Sequence, residues 1–178
     1  MITVWFEPHK TTLDNEAKLA SGWNDVDLSP IGAGEQMQEC VERFSKLSIQ
    51  AIFSSDMQRS YKTAAAIAAN KSIPIYIDSR LRECNYGELT QHPKAEVDSL
   101  KASKISDPFP GGECYTDCVR RMQDFIEYLR ANFDGQTVLI VGHRATQYGL
   151  ESYILKKPLP QIVTAPWKWQ PGWKYELR

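Results

Sequence analysis

The sequence predicts an α/β fold with a mostly parallel sheet, and three observations predict it. Strand-like and helix-like segments alternate along the chain, the pattern of α/β layering. The run Val138-Leu139-Ile140-Val141 is apolar at every position, as expected of a strand covered on both faces. Four residues suited to chemistry, His9, Arg59, Glu83 and His143, each sit where a predicted strand ends. In an open α/β sheet the carboxyl ends of the strands form one crevice, and ligands bind there.

The first strand covers about residues 2–7. A loop from Lys10 to Ser29 follows, with Asn, Asp and Gly and few periodic apolar residues. Ser29-Pro30 offers an N-cap with proline in the first helical turn. Met37, Cys40, Val41, Phe44 and Leu47 recur at helical spacing, so a helix is expected over about 31–47. Residues 50–54 form a short second strand. Met57 to Ala69 is alanine-rich and reads as a helix ending near Asn70. Ile73 to Ile77 is a third strand. Residues 84–112 read as a loop with Pro93, Pro108, Pro110 and Gly111-Gly112, with room for a short helix near 94–103. Val119, Met122, Phe125, Ile126, Leu129 and Phe133 mark an amphipathic helix over about 114–132, and Gly135 follows as a stop. After the apolar strand, Ala145 to Leu155 reads as another helix. The tail, 158–178, is rich in tryptophan and proline. A final strand or hairpin covering the sheet edge explains it better than a partner-binding surface.

At 178 residues the chain is expected to form one domain, 1–178, with a substantial core. Hydrophobic residues make up 42% and charged residues 24%, ordinary for a soluble protein. A net charge of −1 gives no reason to expect nucleic acid or an anionic membrane as partner. No apolar run is long enough to span a membrane and no basic-then-apolar leader opens the chain, so a cytoplasmic location is expected. The four cysteines, Cys40, Cys84, Cys114 and Cys118, do not suit a disulfide framework in a chain of this length. Cys114 and Cys118 share a helical spacing, but no His or Cys pair completes a metal site. Reduced thiols packed as small hydrophobes are expected, and neither metal nor cofactor.

A lone histidine at a strand end is more often structural than catalytic, so the four chemical residues count only together and with the words around them. His9, Thr12 and Asn15; Ser21-Gly22-Trp23; and Asp27-Leu28-Ser29-Pro30-Ile31-Gly32 form the first group. Ser54-Ser55-Asp56-Met57-Gln58-Arg59-Ser60-Tyr61-Lys62-Thr63-Ala64 is the second. Leu81-Arg82-Glu83-Cys84-Asn85-Tyr86-Gly87-Glu88, Gly111-Gly112-Glu113 and Val138 to His143 complete the series. In this order they resemble the histidine phosphatase superfamily, also called the phosphoglycerate mutase-like family, from about residue 2 to 150.

The resemblance implies a three-layer α/β/α sandwich around a mostly parallel sheet. It also implies roles. His9 is the expected nucleophile, Arg59 the phosphate clamp, His143 the donor to the equatorial oxygens and Glu83 the acid and then the base. Side chains supply the cations, so no metal is expected.

The chain departs from the family motif Arg-His-Gly by carrying Pro8 and Lys10 on either side of His9. Proline brings no charge and no N–H, and lysine puts a Cβ where glycine lets backbone approach phosphate. Lys10 and Arg144 are the expected replacements for the lost cation, alongside Arg59 and Asn15 in binding phosphate; Lys62 is a weaker candidate. Only about twenty residues separate Thr90 from Gly111, too few for the longer lid of the mutases. A small lid leaves a phosphohistidine open to water. The expected function is therefore a metal-independent phosphomonoester phosphatase acting on a phosphorylated small molecule or phosphoprotein. The alternatives are an impaired relative that only binds phosphorylated ligands, or a mutase-type phosphotransferase.

Overall fold

The structure, a computed structural model, describes residues 1–69 and 71–178. A five-stranded sheet runs through it. The elements follow in the order β1 (Ile2–Pro8), α1 (Leu13–Ala17), α2 (Pro30–Ala33), α3 (Glu35–Ser45), β2 (Ala51–Ser54), α4 (Gln58–Ala69) and β3 (Ile75–Ile77). Then come α5 (Lys94–Leu100), α6 (Tyr115–Asn132), β4 (Thr137–Gly142), α7 (Arg144–Tyr153), α8 (Leu159–Thr164) and β5 (Trp173–Leu177). Across the sheet the order is β3-β2-β4-β1-β5. β1 to β4 are mutually parallel, and β5 runs antiparallel beside β1.

Period-two alternation sorts the strands' side chains into two cores. Val4, Phe6, Phe53, Val138 and Ile140 pack with Met122, Phe125, Ile126 and Leu129 of α6 on one face. Ile52, Leu139 and Val141 pack with Cys40 and Phe44 of α3 and Ala64 and Ile67 of α4 on the other. This is the three-layer α/β/α sandwich that the resemblance implies. β4 lies between β1 and β2 and is buried on both faces from Val138 onward, which is why its sequence shows no alternation.

Several boundaries differ from the sequence reading. The expected loop 10–29 contains α1, a single turn held by a reciprocal cap between Thr12 and Asn15. Five residues are too few to show periodicity. The helix expected over 31–47 is two helices, broken at Gly34, whose φ −92° and ψ −114° are not helical. The third strand is only Ile75–Ile77, and a 3-10 turn at Ser79–Leu81 separates it from Glu83, which therefore does not end a strand. Arg59 likewise lies in the first turn of α4. The end expected near Asn70 falls outside the described residues.

Within residues 84–112 the short helix for which the sequence leaves room near 94–103 is present. This helix is α5, and the segment packs a small core of its own, with Cys84, Val97 and Phe109 against Tyr115, Tyr148 and Ile162. Gly87 and Gly112 let two backbones meet there: a Cβ on Gly87 would lie 2.0 Å from the Pro110 carbonyl oxygen, and one on Gly112 2.3 Å from that of Asn85. The tail adds β5, which pairs from Ile2↔Leu177 to Phe6↔Trp173 and covers the β1 edge as a single strand rather than a hairpin. Among the described residues no helix is long and apolar enough to cross a membrane.

Candidate active site

Register places the two histidines together. β1 and β4 pair with Pro8 opposite Gly142, so the next residues, His9 and His143, leave the sheet side by side. The His9 amide donates to the Gly142 carbonyl at 3.0 Å. The two imidazole centroids are 5.1 Å apart and tilted by 55°. β2 pairs with β4 on the other side, with Ser54 opposite Val141, so Ser55 leaves the sheet beside His143. Its hydroxyl lies 2.7 Å from His143 Nε2.

Each ring is held through one nitrogen. His9 Nδ1 is 2.8 Å from the Lys10 carbonyl oxygen. A carbonyl can only accept, so Nδ1 carries the proton and the lone pair sits on Nε2. His143 is held through Nε2, and its buried Nδ1 has no partner among the described residues. Burial, and after it the nearby Arg59 charge, lowers both pKa values; His9 is brought down to about 3 and His143 well below its ordinary value. Both rings are neutral at pH 7.

Arg59 is almost wholly buried, 1% exposed. Its Nη atoms donate to the carbonyls of Gly22 and Asn24, each at 2.8 Å, while Nε has no partner among the described residues. The Gly22-Trp23-Asn24 segment thus works as a brace: two carbonyls aim the guanidinium, and Trp23 Nε1 donates to the Glu83 carbonyl at 2.8 Å. The Glu83 carboxylate accepts from the backbone N–H groups of Cys84, Arg144 and Ala145 at 2.7, 3.1 and 3.1 Å. Two of these donors open α7, so the helix N-terminus orients the acid beside His143. Arg121 fixes the same segment from behind through the carbonyls of Arg80, Arg82 and Glu83.

His9, Arg59, Glu83 and His143 all line one cleft of about 590 Å³. Lys10, Asn15 and Arg144 line it as well. Their charges and donors are partly committed. Lys10 Nζ pairs with Glu7, a fully buried carboxylate on β1 that Arg43 also contacts at 3.2 Å. Its charge therefore neutralises Glu7, a partner that no sequence pattern reveals. The Asn15 side-chain oxygen is taken by the α1 cap, leaving only its N–H groups for a ligand. The Arg144 guanidinium lies 4.5 Å from the Tyr148 ring centroid and donates to Gln147 at 2.7 Å. Lys62 pairs with Asp27 and is not among the cleft-lining residues. Ser55, the Gly22 and Asn24 carbonyls and Arg121 went unassigned in the sequence reading. Ser55 lies in the arginine segment, but no sequence signal says which hydroxyl meets a histidine.

All four cysteines are buried and unbridged. The near neighbours are Cys84, Glu113 and Cys118, whose ligand atoms lie within 4.8 Å of one another, rather than Cys114 and Cys118. Cys114 instead opens α6, its thiol donating to Asp117. The trio does not suit a cation, because Arg121 already donates to Glu113 at 3.0 and 3.1 Å and reaches Cys118 at 3.5 Å. The hydrogen bond with the neighbouring Cys118 thiol, and after it burial, raises the Cys84 pKa far above its ordinary value, so that thiol holds its proton.

The chain is similar to known proteins in sequence and in fold. The family model described as histidine phosphatase superfamily (branch 1) matches residues 5–168. The probable phosphoglycerate mutase GpmB of Erwinia tasmaniensis is 30% identical over 169 residues, covering 89% of this chain and 77% of that one. The putative phosphoserine phosphatase 2 of Hydrogenobacter thermophilus is 28% identical over 151 residues, covering 80% and 73%. Fructose-2,6-bisphosphatase TIGAR of Xenopus tropicalis is 37% identical over 132 residues; the match covers 68% of this chain and 47% of that protein. Among solved structures, Bacillus stearothermophilus YhfR superposes with a TM-score of 0.83 at 24% identity, covering 96% of this chain and 88% of that one, a likeness of fold. The relatives' names support an activity of the phosphatase or mutase type. With its matched span and the order of its motifs, this chain belongs to the histidine phosphatase superfamily.

Proposed function

We propose that this protein is a phosphomonoester phosphatase that works through a phosphohistidine at His9 and needs no metal ion. The observation that carries the proposal is the state of His9: neutral, with its proton held on Nδ1 by the Lys10 carbonyl, leaving Nε2 as the nucleophile.

In the first step the Nε2 lone pair attacks phosphorus and the bond to the leaving oxygen breaks. Glu83 enters this step in its protonated form and gives that oxygen the proton, a form the second step regenerates. Arg59, braced by two carbonyls, holds the phosphoryl oxygens with N–H donors. With the Ser55 hydroxyl donating to Nε2, His143 carries its proton on Nδ1 and adds a donor where equatorial charge gathers. In the second step Glu83 takes a proton from water, which attacks the phosphohistidine and releases phosphate.

The short lid favours water over a second substrate oxygen, because the segment between Thr90 and Gly111 contributes one two-turn helix, α5, and little more. The impaired-relative reading draws on Pro8 and on the commitment of Lys10 to Glu7, which leave Arg59 and Arg144 as the main cations for a phosphate.

Hydrolysis of an aryl phosphate in the presence of a chelator, compared with His9→Ala, tests the reading. Rapid-quench mass spectrometry should find an acid-labile, base-stable phosphoryl adduct on His9. Chelator-sensitive turnover, or full activity in His9→Ala, would overturn it.

A further inference from the structure

The cleft is larger than its chemistry requires. At about 590 Å³ it falls within the range of pockets that enclose a drug-sized molecule, so the alcohol part of the ester also has a seat. The wall that receives it includes residues of the tail. Trp167 and Trp169 both line the cleft, yet remain 46% and 54% exposed.

These indoles are held although they are not covered. Trp167 Nε1 lies 3.2 Å from Gln147 Oε1, and its ring leans on Trp173 at 6.1 Å and 30°. Trp169 packs under the Arg43 guanidinium at 5.7 Å, and Arg43 is itself tied to buried Glu7. Tyr148, under the Arg144 guanidinium at 4.5 Å, also lines the cleft. Ordering a large ring costs rotamer entropy, and leaving it in water forgoes the gain of burying it. Fixed and uncovered aromatic faces are therefore a preorganised surface, with the ordering cost met before a ligand arrives.

The chemistry of the surface selects the ligand. Indole and phenol faces stack on flat unsaturated rings, and guanidinium groups beside them attract electron-rich rings. We propose that the physiological substrate is a phosphate monoester whose alcohol carries a flat heteroaromatic ring, seated against Trp167 and Trp169. The proposal rests on the phosphatase reading of the same site and adds its substrate class.

Adenosine 5′-monophosphate and ribose 5-phosphate share one leaving oxygen and differ only in the ring, so their kcat/KM ratio isolates it. The intact enzyme should favour the nucleotide by at least about tenfold, as expected from stacking on aromatic side chains. Trp167→Ser with Trp169→Ser should bring the ratio close to one, whereas phenylalanine at both positions should keep most of it. Equal rates for the two esters, an unchanged ratio in the serine variant, or a preference for glucose 6-phosphate that the serine variant loses would overturn the proposal; the last points to a sugar face. A second measurement separates this from the phosphatase reading. Quenching of tryptophan fluorescence in His9→Ala should show tighter binding of the nucleotide than of ribose 5-phosphate. That result without any hydrolysis by the intact protein would sink the phosphatase and keep the ring. Hydrolysis of every ester without preference would do the opposite.

Discussion

His9 and His143 end neighbouring parallel strands at matching register, yet they are held in opposite ways. His9 is gripped through Nδ1 by its own chain and enters an irregular loop. His143 is gripped through Nε2 by a hydroxyl from the next strand and opens a helix. The same strand-end position therefore supplies two chemically different rings. One offers a lone pair fixed by a carbonyl, and the other offers a nitrogen whose role is set by Ser55. Imidazole identity alone does not assign the parts; the partner of the second nitrogen does.

The strongest way to break this contrast is to remove each ring in turn. His9→Ala should lower kcat by roughly 10⁴-fold or more and abolish the phosphoryl adduct, because no other positioned nucleophile replaces it. His143→Ala should cost less, about 10²–10³-fold, the usual effect of losing one transition-state donor, and should retain the adduct. Single-turnover kinetics with adduct detection checks both. An adduct on residue 143 in place of 9 would reverse the assignment.

A pH titration sharpens the comparison from the side of stability. Burial lowers both pKa values, so between about pH 6.5 and 3 the unfolded chain binds protons that the folded chain refuses. Stability is thus unaffected by these groups above pH 6.5 and drains away as the pH falls toward 3. Replacing both rings by glutamine should reduce the loss between pH 7 and 4 by about 3 kcal/mol from His9 alone, or roughly 6–12 °C in Tm, with His143 adding in the same direction. Thermal melts of the double variant that fall as steeply as those of the parent would refute the burial argument.

The smallest effect concerns Ser55. Ser55→Ala should lower kcat by about tenfold with little change in KM, since it frees the ring without removing it; Ser55→Thr should restore most of the rate. A change confined to KM would give Ser55 a direct place in binding instead.

The sequence was most legible where one physical rule dominated. β4 announced itself by unbroken apolar residues, α6 by its stripe, and the His9–His143 pair by two strand ends. Legibility failed where structure came from contacts between distant segments. α1 is too short for periodicity and exists through its cap. The Arg59 brace uses carbonyls, which every residue has and no side-chain pattern reveals. Glu83 reaches the cleft after a 3-10 turn and is fixed by the start of a helix sixty residues later, so its place follows from tertiary contacts. Lys10 and Glu7 are only three positions apart, but a carboxylate inside a strand gives no sign in sequence of facing the same way as a lysine in the loop beyond it.

That buried pair constrains how this site could have arisen and how it can be altered. Lys10→Gly alone would leave Glu7 inside the protein with Arg43 as its remaining partner. Removing Glu7 alone would release a buried lysine beside the nucleophile and deepen the positive field around His9. Positions 7 and 10 are therefore epistatic. A lineage moving between this loop and the family's usual one has a passable route only if the two letters change together, or if Glu7 is replaced once something else has taken up the lysine's charge. An engineer restoring Arg-His-Gly around His9 faces the same ordering: the motif is three residues long in the sequence and at least five in its energetics.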